Sequence, residues 1–259
     1  MSERIGFRTA GYRKVPVEEA IRAIAEAGYD GVELCLEHPD LLPERLTEDR
    51  CAQVAAVAST LGLEIATISY HGDSDPLELR WNRALAAVAL APALGTDVVI
   101  LNSPRPGDDR PGNLADQFRS QLANQLEMAD VVGVTVALEP EPGLLVDGCS
   151  DMAELIDELG SSRLKVNLDV GHAWLTEADL PAAICALGEH VAAVHVEDMA
   201  GGEHRHLVPG TGEMDLAGVV AALRAAGFGG WLTVDLFDIA DDPDAAARAS
   251  LDYMRDLLW

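Results

Sequence analysis

Short apolar runs of strand length alternate with longer segments of helical period along this chain, and the alternation persists from its first residues to its last. The runs cover residues 5–7, 31–34, 63–70, 97–101, 134–139, 164–169, 191–196 and 231–236. A helix after each strand returns the chain to the edge where that strand began, so the strands must lie parallel. Three of the intervening segments show one apolar stripe: Val17, Ala20, Ile21 and Ile24; Met152, Leu155, Ile156 and Leu159; Leu216, Val219, Val220 and Leu223. Glycine recurs where each helix should stop, at 28, 62, 95, 133, 160, 188 and 227. Eight βα units in 259 residues match a single (β/α)8 barrel domain spanning 1–259, a fold that typically takes about 250 residues. An open doubly wound sheet would also alternate strand and helix. It is disfavoured because no GxGxxG follows the first strand and because polar residues end many strands rather than one switch point.

Charge narrows the partners. With 44 acidic against 18 basic residues the net charge is −26, a field that repels nucleic acid phosphates and anionic membranes. No run approaches the 18 or so apolar residues that span a bilayer, and residues 1–7 carry no secretion signal. The expectation is a soluble cytoplasmic protein with a small-molecule partner, no nucleic acid and no membrane; a homo-oligomer is compatible with it. Cys35, Cys51, Cys149 and Cys185 form no CxxC pair, so they read as small core residues rather than disulfides or zinc ligands. The Pro/Gly-rich stretch 102–112 reads as a loop over the site.

In a closed barrel of this kind, chemistry gathers at the C-terminal ends of the strands. Glu139 ends Val-Thr-Val-Ala-Leu, Asp169 ends Leu-Lys-Val-Asn-Leu, His195 interrupts Val-Ala-Ala-Val-His-Val, and Asp235 follows Trp-Leu-Thr-Val. Taken singly, each is as readily a helix cap or a hydrogen-bonded loop residue. Four strands in succession that aim an oxygen or nitrogen donor at one mouth make a metal site. A divalent cation also neutralises carboxylates that would otherwise repel one another. Three carboxylates and one imidazole suit Mn²⁺ best, with Mg²⁺, Co²⁺ and Zn²⁺ as alternatives.

These motifs resemble the barrels related to xylose isomerase and to the apurinic endonuclease IV group. The resemblance runs over essentially the whole chain, through Gly-Tyr-Asp-Gly-Val-Glu-Leu at 28–34, Leu-Glu-Pro-Glu-Pro-Gly at 138–143 and Leu-Asp-Val-Gly-His-Ala at 168–173. It continues with Val-His-Val-Glu-Asp at 194–198 and His-Leu-Val-Pro-Gly-Thr-Gly-Glu-Met-Asp at 206–215. It implies a xylose isomerase-like TIM barrel in which Glu139, Asp169 and His195 bind the metal and His172 and Arg205 contact substrate. His71 and Glu33 are further candidates on the substrate side; Glu33, on the second strand, could orient a substrate hydroxyl or a histidine, and a buried structural hydrogen bond is the bland alternative. Two departures stand out. The last strand ends in Asp235 where the family has glutamate, one methylene longer. Asn102 stands where endonuclease IV would need a histidine, against a full trinuclear zinc site.

The resulting expectation is a metal-dependent isomerase or epimerase of a sugar or related polyol. Glu139 removes a proton next to a carbonyl, an enediolate forms, and Asp235 returns the proton. The same intermediate can lose a β-hydroxyl, so a dehydratase of a keto-inositol or related cyclic polyol is the close alternative. An endonuclease IV-like phosphodiesterase and a non-catalytic metabolite-binding barrel are the competing classes.

Overall fold

The computed structural model describes residues 4–107, 114–237 and 242–258, and eight parallel strands within them close into one barrel in the order β1-β2-β3-β4-β5-β6-β7-β8. The strands are β1 (Arg4–Arg8), β2 (Gly31–Cys35), β3 (Glu64–Tyr70), β4 (Val98–Asn102), β5 (Thr135–Glu139), β6 (Leu164–Asp169), β7 (Val191–Val196) and β8 (Trp231–Val234). Each coincides with one apolar run to within two residues at either end. Around them run α1 (Val17–Ala27), α2 (Glu48–Thr60), α3 (Leu77–Leu94), α4 (Leu114–Val132), α5 (Cys149–Leu159), α6 (Val170–Thr176), α7 (Leu180–Leu187), α8 (Leu216–Ala225) and α9 (Pro243–Leu258). Among the described residues no helix is long and apolar enough to cross a membrane. Residues 108–112 of the 102–112 stretch lie outside the described residues.

The helical stripes pack as their spacing requires. Val17, Ala20, Ile21 and Ile24 of α1 are fully buried against the barrel, and burying each isoleucine contributes about 1.5 to 3 kcal/mol. All seven of the helix-ending glycines take positive φ, from 51° at Gly188 to 100° at Gly28, a conformation that β-carbons disfavour. Gly31 is required for a different reason. A Cβ there would lie 2.7 Å from the ring of Trp231, which stands inside the lower barrel. Ile100, Ala137 and Ala193 form a small core of their own, with Ala193 on the same rung as Trp231. Cys35, Cys51 and Cys149 are buried as expected, whereas Cys185 is exposed on the outer side of α7, because position 185 falls off that helix's buried stripe of Leu180, Ile184 and Leu187.

Strand register sets the layout of the mouth. The ladders pair Arg8 with Glu33, Asn102 with Glu139, and Asp169 with His195. Polar residues at neighbouring strand ends therefore share a rung and face one mouth. Register shifts at Val32/Glu33 and at Val166/Asn167 lie beside this rung, and such bulges re-aim side chains.

Candidate active site and metal centre

His195 Nδ1 is the point on which the site converges. It lies 3.2 Å from Glu139 Oε2, 3.8 Å from Asp235 Oδ2 and 4.0 Å from Asp169 Oδ2. All four residues are buried. His195 Nδ1, Asp169 Oδ2 and Asp235 Oδ1 have no hydrogen-bond partner, and buried polar atoms left unpaired carry a desolvation cost of about 1 to 3 kcal/mol each. Glu139, Asp169 and His195 can offer ligand atoms within 4.8 Å of one another. The donor set, with lone pairs aimed inward and unspent, fits a hard or borderline divalent cation.

The local chain explains each orientation. Asp169 ends β6 and caps α6: its Oδ1 accepts the His172 N–H at 2.7 Å, which leaves Oδ2 for the centre. Glu139 accepts from Asn167 Nδ2 at 2.7 Å, a bond that aims its carboxylate across the barrel. Burial alone would raise the Glu139 carboxyl, but the imidazoles of His71 and His195 outweigh it and hold the group well below the ordinary carboxylate range. Asp235 follows β8 and receives Arg8 Nη1 at 2.8 Å. There burial is outweighed by Arg8, His206 and His195, and the Asp235 carboxyl is held down to about 2.

Beside the centre opens a cavity of about 530 Å³, lined by Arg8, His38, His71, Glu139, His172 and Asp235 among others. His71 Nε2 lies 3.5 Å from Glu139 Oε2, and His172 Nδ1 lies 3.4 Å from Glu139 Oε1. Both imidazoles thus face the cavity next to the carboxylate that ends β5. Glu33 does not reach the cavity. It is 0 % exposed, bonded to Thr67 Oγ1 at 2.6 Å and facing His195 Nε2 at 2.9 Å. Arg205 is exposed and outside the lining, while its neighbours His204 and His206 are in it. Neither Trp174 nor Tyr70 walls the cavity.

Three residues here escaped the sequence reading. Arg8, a basic residue ending the first strand, is buried, with Nε 3.0 Å from Glu33 Oε1 and Nη2 3.1 Å from His71 Nδ1. Glu197 is fully buried, and burial, then the nearby charges of Asp169 and Asp235, push its carboxyl well up. Its Oε1 accepts the Gly171 N–H at 2.6 Å, and a Cβ at 171 would overlap that oxygen. The signal for it was strand alternation, since 197 shares a face with 195. His204 Nε2 sits 2.8 Å from His172 Nε2. It is delivered by the segment between β7 and α8, which Asp198 fastens: that carboxylate accepts backbone N–H groups from Met199, Gly210, Gly212 and Met214 at 2.9 to 3.1 Å. His172, His204 and His206 form a further group with ligand atoms within 4.8 Å, as do Asp169, Glu197 and His206.

A closed eightfold parallel barrel with buried carboxylates and imidazoles gathered at its C-terminal mouth, beside a cavity, defines the class: an α/β barrel that presents its candidate site at the strand ends. The chain belongs to the xylose isomerase-like TIM barrel family, whose profile matches residues 21–257. It is similar to fructoselysine 3-epimerase of Shigella flexneri, 24% identical with 98% of each chain covered. It is 30% identical to 3-dehydroshikimate dehydratase of Pseudomonas aeruginosa over 93% of this chain, which corresponds to 39% of that longer protein. Among solved structures an L-ribulose 3-epimerase superposes with a TM-score of 0.82 at 22% identity, covering 99% of this chain and 94% of the other, a likeness of fold.

Proposed function

We propose that this chain is a divalent-metal-dependent epimerase or isomerase of a sugar or related polyol, acting by proton transfer at a carbon next to a carbonyl. The observation that carries this reading is the placement of two buried carboxylates from different strands, Glu139 and Asp235, at 3.2 and 3.8 Å from one imidazole nitrogen, beside a cavity of sugar size. The full-length similarity to a 3-epimerase supports the same reaction class. Glu139, Asp169, His195 and Asp235 would hold the cation, with Mn²⁺ the best match to the donors. When bound, the cation supplies a Lewis acid that stabilises the enediolate produced by proton loss. Glu139, aimed by Asn167, is the base that takes the proton. Asp235 is the second carboxylate, positioned to exchange a proton from the β8 side. His71 and His172 hydrogen-bond substrate hydroxyls from the cavity wall. Return of the proton to the opposite face gives epimerisation, and return at the adjacent carbon gives aldose–ketose isomerisation.

Incubating the Mn²⁺-supplemented protein in D₂O with a panel of ketoses, aldoses and inososes tests the reaction by NMR. Deuterium should enter at a carbon adjacent to the carbonyl and only with metal present. A panel with no exchange under saturating metal would count against the proposal. One observation favours a second reading. Arg8 holds Asp235 ionised, which weakens it as a proton donor, and a single working base suits loss of a β-hydroxyl. A dehydratase acting on a cyclic keto-polyol would release water from an inosose in the same assay.

A further inference from the structure

Glu33 reaches no cavity, yet it touches the side chains that arrange the centre. Its Oε2 accepts from Thr67 Oγ1 at 2.6 Å and faces His195 Nε2 at 2.9 Å; its Oε1 faces Arg8 Nε at 3.0 Å. On the ladders it pairs with Arg8 of β1 on one side and Thr67 of β3 on the other, the two residues whose side chains it meets inside the barrel. His195 has two ring nitrogens, and only Nδ1 faces Glu139, Asp169 and Asp235, without any hydrogen-bond partner. An imidazole that binds a cation through Nδ1 must carry its proton on Nε2, and an acceptor at Nε2 fixes that choice.

We propose that Glu33 is a positioning residue for His195: its carboxylate takes the Nε2–H bond, locks the ring, and leaves Nδ1 as the ligand nitrogen. The inference rests on His195 being a ligand, as the proposed function has it. Glu33 thereby acts from beneath the centre rather than on substrate. A glutamate that merely balanced the buried Arg8 would stabilise the fold without governing how tightly a cation binds.

Calorimetric titration of Mn²⁺ into the metal-free full chain separates these roles. Glu33→Gln offers one acceptor oxygen where His195 and Arg8 each need one, and Mn²⁺ affinity should fall about 10- to 100-fold, the usual effect of losing such a partner. A lowered melting temperature with unchanged Mn²⁺ affinity would overturn the proposal. Because the variant can fail to fold, a second measurement uses the wild-type sequence. In Zn²⁺-loaded protein labelled with ¹⁵N-histidine, the His195 signal, assigned by its loss in His195→Asn, should show a directly bonded proton on Nε2. An unprotonated Nε2 would overturn it. A wild type that binds neither Mn²⁺ nor Zn²⁺ overturns the metal reading and this inference together. A wild type that binds and a Glu33→Gln protein that binds equally well overturn the positioning role alone.

Discussion

Arg8 Nη1 lies 2.8 Å from Asp235 Oδ2, a buried ion pair between the end of β1 and the residue after β8, where the barrel closes on itself. The guanidinium bonds the same Asp235 oxygen that lies 3.8 Å from His195 Nδ1. Removing one partner of such a pair is costly, on the order of 3 to 5 kcal/mol, because the other is left buried and uncompensated. Arg8→Met should therefore lower the melting temperature more than a surface arginine substitution does, as a thermal melt will register; an unchanged melt would mean that the pair is not formed in solution.

Turnover separates one-base from two-base chemistry. Asp235→Asn keeps an oxygen toward the centre but cannot take up a proton, and kcat should fall by roughly 10²- to 10⁴-fold with the fold retained. Exchange of the substrate proton at the Glu139 face should persist in part. Near-normal turnover in this variant, together with an inactive Glu139→Gln, would replace the epimerase with a one-base isomerase or dehydratase. Normal turnover in both would remove this site from the chemistry.

Asp169 has two separable duties. Asp169→Asn can still accept the His172 N–H and cap α6, whereas Asp169→Ala loses the cap, a further cost of about 1 kcal/mol. Both should lose most bound Mn²⁺ by elemental analysis, while only the alanine protein should melt distinctly earlier. Full metal occupancy in the alanine variant would mean the ligand is another residue.

Metal and stability should move together. Mn²⁺ at 100 times its Kd would stabilise the native state by about 2.7 kcal/mol. For a domain of this size that corresponds to a rise of about 5 to 10 °C in melting temperature, reversed by EDTA. Identical melts with EDTA and with saturating Mn²⁺, Mg²⁺, Co²⁺ or Zn²⁺ would contradict a cation at the centre.

Asp198 binds four backbone N–H groups of the segment that carries His204 and His206. Asp198→Ala leaves those donors without their acceptor and should cost about 3 kcal/mol. Hydrogen exchange should quicken across residues 199–214 while β5 and β6 stay protected. Uniform acceleration over the barrel would assign Asp198 to global stability instead.

The strands and helix ends were legible because each obeys a local rule: apolar runs of one length, one stripe per helix, glycine at the exit. Glu139, Asp169, His195 and Asp235 could be gathered at one mouth because strand ends in a parallel barrel all point the same way. Arg8 was missed because a basic residue after Ile-Gly-Phe reads as the point where a strand meets water; only its acidic partners on either side, Glu33 on β2 and Asp235 after β8, make its burial tolerable. Arg205 was named on resemblance and His204 passed over, and the structure puts the histidine in the cavity lining, since nothing in a loop sequence states which neighbour turns inward. For Glu33 the strand position allowed either a substrate hydroxyl or a histidine as partner, and the contacts with His195, Arg8 and Thr67 favour the histidine.

The shared rung that pairs Asp169 with His195 and Asn102 with Glu139 separates two kinds of heritable change. Reactive groups are anchored in the hydrogen-bonded scaffold, while His38, His204 and Phe237 come to the cavity from the connecting segments above it. Remodelling those segments would alter which molecule is admitted while leaving the proposed proton-moving centre in place. Grafting the stretch between β7 and α8 from another barrel of the family, with His206 kept beside Asp235, is accordingly a route to altered selectivity.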